Sequence, residues 1–311
     1  MCERNENATL ARFAPSHTHR DRRTRKQKRA EERRSMSSCS AVSRPTWYVR
    51  DMHHASSARC VIPKIGDGAI VHARDKGGFQ AFVENLLGEM RKAPVCSNQV
   101  LGVLPCVNPD DGLWLEFGVF RGNTIRQTAN YRNASNRWKD NECCVHGFDS
   151  FTGLPETWRP DGLDARGGRR PGATWRRGQF SLGGHFPFPE NGIVKWHKGW
   201  FNESLAEFLH TRPEREHVSF LHVDSDLYSS AKTIFGELGR RLRPGTVIIF
   251  DELFGYPQYK DHEILALYEF LRERRNLAVE VLATSSKVID FNPRYEYVNQ
   301  ACAVRLVRSI A

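Results

Sequence analysis

Apolar residues along the chain fall into two rhythms. After Gly77, the residues Phe79, Phe82, Val83, Leu86, Leu87 and Met90 recur at helical spacing and stop before Pro94, which predicts an amphipathic helix. Further on, the pattern becomes short, largely apolar runs at 113–117, 144–148, 218–223 and 246–250 and within IVKWHKGWF, bounded by Gly, Pro or Asp. Runs without polar alternation predict strands buried on both faces, the signature of a parallel sheet covered by helices. Helical spacing between the runs predicts helices after Gly122 and over 203–210, 229–242 and 261–275, and two closely spaced strands, 278–284 and 301–307, close the chain. The order is that of an α/β, doubly wound, mostly parallel seven-stranded sheet with helices on both faces and an antiparallel edge hairpin.

Three regions follow from this pattern. Residues 1–60 are polar, rich in Arg and Ser and without periodicity, and are expected to be a disordered basic tail. Residues 61–110 form a helical extension, and 111–311 the main domain, interrupted by a Gly-, Pro- and Arg-rich insertion at 160–192 of the kind that shapes substrate access. Charge is unevenly divided: of a net +10, residues 1–50 carry 13 Lys/Arg against 5 Asp/Glu, leaving 33 against 31 elsewhere. Nucleic-acid binding is therefore expected only through the tail, and a nuclear location only through the same segment; a cytoplasmic protein is otherwise expected. No apolar run is long enough for a membrane span. The eight cysteines show no CxxC pair and no His-spaced metal pattern, so reduced thiols are expected. The helix of Phe79 to Met90 either packs on the domain or offers a homodimer surface.

Chemistry concentrates at the strand ends. LWLEFGVFRGNTIRQTANY reads as strand, glycine turn and helix start, with Glu116 near the strand's end and Gly118 and Gly122 in the turn. Glycines there let backbone approach a ligand while the helix start offers free N–H groups. The second strand ends at Asp149, 33 residues after Glu116, where doubly wound folds hydrogen-bond a ribose. An acid that caps its own turn is the bland reading of Asp149. Two later strands end in Asp224-Ser225-Asp226 and Asp251-Glu252. Four carboxylates at adjacent strand tips repel one another, and a hard divalent cation is the usual means of holding them together; alternatively, Asp226 caps a helix and Glu252 is solvated. Trp196, His197 and Trp200 are candidates to stack on a base or to fill the core.

The stretches EFGVFRGNT, FDSFTGLPE, HVDSDLYSS and FDELFGYP, in this order, resemble class I S-adenosylmethionine-dependent methyltransferases, and within them the macrocin O-methyltransferase-like branch. The resemblance spans about residues 77–307. It implies a Rossmann-like methyltransferase fold with S-adenosyl-L-methionine as cofactor, and a small-molecule acceptor such as a sugar or glycoside hydroxyl. It implies that Glu116, Gly118, Arg121, Gly122 and Asn123 surround the methionine part of the cofactor. Asp149 would hold the ribose, with Ser150 and Phe151 beside the adenosine. It further implies a Mg²⁺ site at Asp224, Asp251 and Glu252, where the branch commonly has Asp at the last position. Asp224, Asp226 and His262 are then the candidate catalytic groups; a helix-start histidine bonded to Glu263 is the bland reading of His262.

Two other classes compete. Asp224-Ser225-Asp226 imitates the DxD of a nucleotide-sugar glycosyltransferase, which leaves Glu116, Gly118, Gly122 and Asp149 without a task. A non-catalytic cofactor- or RNA-binding protein would work through the basic tail, with salt-sensitive binding as its mark.

Overall fold

The computed structural model describes residues 68–96, 102–135, 144–159, 174–256, 258–285 and 300–309. The expected tail, and positions 160–173 of the insertion, lie outside them. One eight-stranded sheet organises the described residues. Its strands are β1 (Ile70–Val71), β2 (Leu113–Phe117), β3 (Val145–Asp149), β4 (Val194–Lys198), β5 (Val218–Val223), β6 (Val247–Phe254), β7 (Leu277–Thr284) and β8 (Gln300–Arg308). They lie in the order β1-β7-β8-β6-β5-β2-β3-β4. β4, β3, β2, β5 and β6 are parallel neighbours, while β8 runs antiparallel to both β6 and β7. The class is the predicted doubly wound α/β fold, with one correction to the strand count. The eighth strand is β1, two residues paired antiparallel to β7, too short to leave a periodic trace. It also moves the edge outward, because β7 is covered by β1 and β8 lies between β7 and β6.

The helices are α1 (Gly78–Lys92), α2 (Asn123–Ser135), α3 (Phe201–His210), α4 (Tyr228–Leu238) and α5 (Glu263–Glu273). β2 and β5 bury every side chain, Glu116, Ser219 and His222 included, because apolar layers cover both faces of the sheet. One layer joins the sheet to the apolar faces of α1, α3, α4 and α5. The opposite layer uses Ile125 and Ala129 of α2 with Val103 and Leu104. Helix α1 buries Phe82, Val83, Leu86 and Met90, and Tyr268 of α5 meets the rings of Phe79 and Phe82 at 5.1 and 5.4 Å. Its apolar stripe is thus spent within the chain.

Cys96 is disulfide-bonded, which corrects the expectation of reduced thiols throughout. Cys106, Cys144 and Cys302 are free, so the partner of Cys96 lies outside the described residues. Among the described residues, no helix is long and apolar enough to cross a membrane.

Candidate active site

The sheet reverses its winding between β2 and β5. Chain order runs from β2 outward through β3 to β4, then returns to place β5 on the other side of β2. In doubly wound sheets the crevice beyond the carboxyl ends of such a strand pair is where ligands bind. Here a cavity of about 440 Å³ opens at that point, within the size range of small-molecule sites. Its floor is where the end of β2 meets its two neighbours: the Asp224 N–H, just past β5, donates to the Phe117 carbonyl at 2.9 Å, and the Gly118 N–H to the Phe148 carbonyl of β3 at 3.0 Å. Gly118 has φ +82°, and a Cβ there would run into the Asp224 carbonyl. Only glycine lets the two strand ends approach this closely.

Asp149, at the end of β3, organises the turn above that floor. Its Oδ2 accepts from the Val119 and Phe120 N–H groups at 2.8 and 3.0 Å, and its Oδ1 from the Phe151 N–H at 2.7 Å. The capping role is therefore real, although it serves the glycine turn as well as the acid's own turn. The carboxylate still lines the cavity, and each oxygen has lone-pair capacity beyond these bonds. Phe120 is held at φ +45°, a conformation costly for an aromatic residue.

The opposite wall carries the acids. Asp224, Asp226, Asp251 and Glu252 all line the cavity. One ligand oxygen each from Asp224, Asp226 and Glu252 lies within 4.8 Å of the others. Hard oxygen donors at that spacing fit a divalent cation such as Mg²⁺. Asp226 belongs to this trio and Asp251 does not, a different grouping from the predicted one. Asp251 still lines the cavity beside Glu252, and the pairing of β6 with β8 is irregular between Phe250 and Phe254, across both acids. Asp226 reaches the trio from a left-handed backbone, φ +63°.

Crowding and burial oppose ionisation of these groups. Burial, followed by the charges of Asp251 and Asp226, raises the Asp224 carboxyl well above the usual range. Burial and the charges of Asp226 and Asp224 do the same to Glu252. Burial pushes Asp226 up to about 7, with the Arg159 guanidinium pulling the other way. Behind them, Glu263 is fully buried at the start of α5, its Oε1 accepting weakly from the Ser225 N–H and Oγ at 3.5 and 3.4 Å. Burial and the Asp226 charge raise its pKa as well.

These carboxyls hold protons more tightly in the folded chain than in the unfolded one, so stability falls as pH rises through the window where the folded groups ionise. For Asp226 that window runs from about 4 to about 7. His262, lowered by burial, has the opposite sign but is one group against four. The cation-free protein is expected to melt roughly 5 °C higher near pH 5 than near pH 7.5, the shift that about 2 kcal/mol produces in a domain of this size. Thermal melts in chelator across that range check it, and a flat profile would contradict the crowding.

The remaining predicted residues are distributed as follows. Gly118, Asp149 and Ser150 line the cavity. Glu116, Arg121, Gly122, Asn123, Phe151 and His262 do not. Glu116 lies beneath the floor, buried, with its Oε2 3.2 Å from Nδ1 of His222, its register partner on β5. Gly122 is a packing position, where a Cβ would meet Phe188 at 2.6 Å. Arg121 lies over the Phe120 ring at 5.1 Å, Asn123 begins α2, and Phe151 is buried against Phe186 and Trp196. His262 sits at the N-cap of α5 with Nδ1 buried and unbonded. Among the candidate base-stacking residues, Trp196 is core and His197 bonds His146 at 2.9 Å, whereas Trp200 is 38% exposed and lines the cavity.

Sequence reasoning missed Phe120, Phe180 and Asn202 on the cavity wall, and the hydroxyls of Ser229 and Thr233. The last two could have been found: they stand one turn apart on α4, directly after the second acidic strand end.

No curated protein matches the chain. Solved structures similar to it include CalS11, the calicheamicin methyltransferase, at 19% identity over 75% of this chain and 87% of that one, with a TM-score of 0.48. The O-methyltransferase NovP is similar at 21% identity over 72% and 80%, TM-score 0.40. An O-methyltransferase from Bacillus cereus in complex with SAH is similar at 16% identity over 73% and 89%, TM-score 0.39. Residues 115–253, which run from within β2 to within β6 and include the glycine turn, Asp149 and the four cavity carboxylates, match the family model of a methyltransferase domain.

Proposed function

We propose that the cavity binds S-adenosylmethionine and that the chain methylates a hydroxyl of a small molecule, a sugar or glycoside being the favoured class. The observation that carries this reading is the meeting, in one cavity at the winding reversal, of a glycine turn held by Asp149 with the acidic ends of β5 and β6. The methyltransferase-domain match over the same residues supports it. A DxD glycosyltransferase accounts for the acids but not for the glycine turn and Asp149 that share their cavity.

The residues present suit that ligand. Gly118 leaves room at the floor, Asp149 offers acceptors to vicinal hydroxyls, Trp200 presents a ring face for a base, and the carboxylate wall favours a cationic sulfonium. S-adenosylmethionine, when bound, supplies an activated methyl group for in-line transfer to an acceptor oxygen. The chain's own task is to orient the acceptor and remove its proton. Asp226 lines the cavity and, with no cation seated, has a proton affinity near neutrality that suits it to act as the base. Asp224, Asp226 and Glu252, with Asp251 beside them, would hold a divalent cation. Such an ion supplies Lewis acidity that lowers the pKa of an acceptor hydroxyl. We assign no proton transfer to His262, which lies off the cavity.

Replacing Asp149 by alanine is expected to weaken S-adenosylhomocysteine binding at least tenfold, about 1.4 kcal/mol, by removing both the ribose acceptor and the support of the glycine turn. Trp200→Ala, which touches only the base, should weaken it by about 1 kcal/mol. Calorimetry on both variants checks this, and unchanged affinity in Asp149→Ala would remove the proposed cofactor orientation.

A further inference from the structure

Asp226 is held differently from the other two members of the acidic trio. The Asp224 N–H is tied to the Phe117 carbonyl, and Glu252 belongs to β6. Asp226 sits in a tight turn instead: the Leu227 N–H donates to the Ser225 carbonyl at 2.6 Å, across an Asp226 backbone at φ +63°. This is the γ-turn with a left-handed central residue, the rare and strained form. Such a conformation persists only where the surrounding structure holds it.

The exit of the turn is held by packing, since Leu227 is buried against Trp158 and Tyr256. The entry is held by Glu263. Its Oε1 accepts from the Ser225 N–H at 3.5 Å and from the Ser225 hydroxyl at 3.4 Å. Glu263 is the first residue of α5, and Ile264, Ala266 and Leu267 behind it lie in the core, so the carboxyl is carried on a fixed element. It is fully buried, and its Oε2 has no bonding partner. Burying a carboxyl in this way has a cost that an apolar residue at the same place would not incur. We propose that Glu263 is a positioning residue of the cation seat: by clamping Ser225 it holds the γ-turn that brings the Asp226 carboxylate to Asp224 and Glu252. This rests on the reading of those three acids as a cation seat. Glu263 itself lies off the cavity and acts only through the turn. Without the clamp, Asp226 relaxes to the right-handed backbone that its residue type prefers, and the seat loses a ligand.

The test is Mn²⁺ titration of the full chain, read by the paramagnetic resonance of free Mn²⁺, in wild type, Glu263→Gln, Glu263→Met and Ser225→Ala, with S-adenosylhomocysteine titrated on each. Glutamine keeps an oxygen that can accept from Ser225, whereas methionine fills the same space without a comparable acceptor. Both substitutions remove the carboxyl, so the difference between them reads the clamp. Glu263→Met is expected to bind Mn²⁺ at least about tenfold more weakly than Glu263→Gln, with S-adenosylhomocysteine affinity in both within about threefold of wild type. Ser225→Ala removes the hydroxyl and keeps the N–H, so its Mn²⁺ binding should weaken by about threefold. Equal Mn²⁺ affinity in the glutamine and methionine variants overturns the inference and leaves the methyltransferase reading standing wherever S-adenosylhomocysteine still binds. Should the methionine variant not fold, wild-type Mn²⁺ affinity in Ser225→Ala overturns it in the same way. Absence of Mn²⁺ binding in every form, wild type included, overturns it together with the cation seat. The expected Mn²⁺ pattern with no S-adenosylhomocysteine binding by any form supports the clamp and counts against the cofactor reading instead.

Discussion

Gly118→Val is expected to abolish S-adenosylhomocysteine binding and to destabilise the protein by about 3 kcal/mol or more. Two costs combine at this position. The backbone is left-handed, φ +82°, where a β-branched residue is strained. A Cβ would also collide with the carbonyl group of Asp224, with the carbon itself only 2.8 Å away. That obstacle is the backbone of a central strand, so it cannot turn aside as a side chain would. Relief requires β2 and β5 to separate at the point where the cavity floor is made. Gly88→Ala is the matched control: on α1 nothing lies within 4 Å of the new Cβ, and alanine should stabilise by about 0.5–1 kcal/mol through helix propensity. Thermal melts and calorimetry on both variants separate the two cases, and a Gly118→Val protein that binds like wild type would refute the floor's geometry.

Asp224→Asn is expected to divide activity from stability. In the proposed site Asp224 is a ligand of the cation seat beside the base, so turnover should fall by about 10²–10⁴. Replacing a buried carboxyl that the fold must either protonate or hold charged beside its neighbours by a neutral amide should at the same time stabilise the cation-free fold by about 1–2 kcal/mol. S-adenosylhomocysteine affinity should change by less than about threefold, since the trio lies on the acceptor side. Initial rates, with whichever hydroxyl compound of a panel supports turnover, are compared with melts in chelator. Activity and stability falling together would point instead to a structural role for Asp224.

The parts of this account legible in the sequence are those with an unambiguous period. β2 and β5 appear at their predicted bounds, because short runs between breakers that are apolar except at Glu116, Ser219 and His222 admit one reading. The helix expected to run to position 242 ends at Leu238, since Gly239 leaves the helical conformation and a short 3₁₀ turn, Gly239–Arg241, follows. The acids were legible because each directly follows an apolar run. Which three stand closest was not, because it depends on the irregular course of β6 after Phe250 and on the left-handed backbone at Asp226, and neither leaves a trace in residue type. Glu116 looked like a ligand residue from its place beside the glycine turn. Its partner, His222, becomes visible only when β2 and β5 are set side by side.

Whether the cavity at the winding reversal holds S-adenosylmethionine is read by calorimetric titration of S-adenosylhomocysteine into the purified chain, beside a nucleotide-sugar titration. Saturable one-to-one binding with a dissociation constant in the micromolar range, about −8 kcal/mol, is the predicted result. No binding up to about 1 mM, together with saturable binding of the nucleotide sugar, would contradict it and make the acidic wall that of a glycosyltransferase.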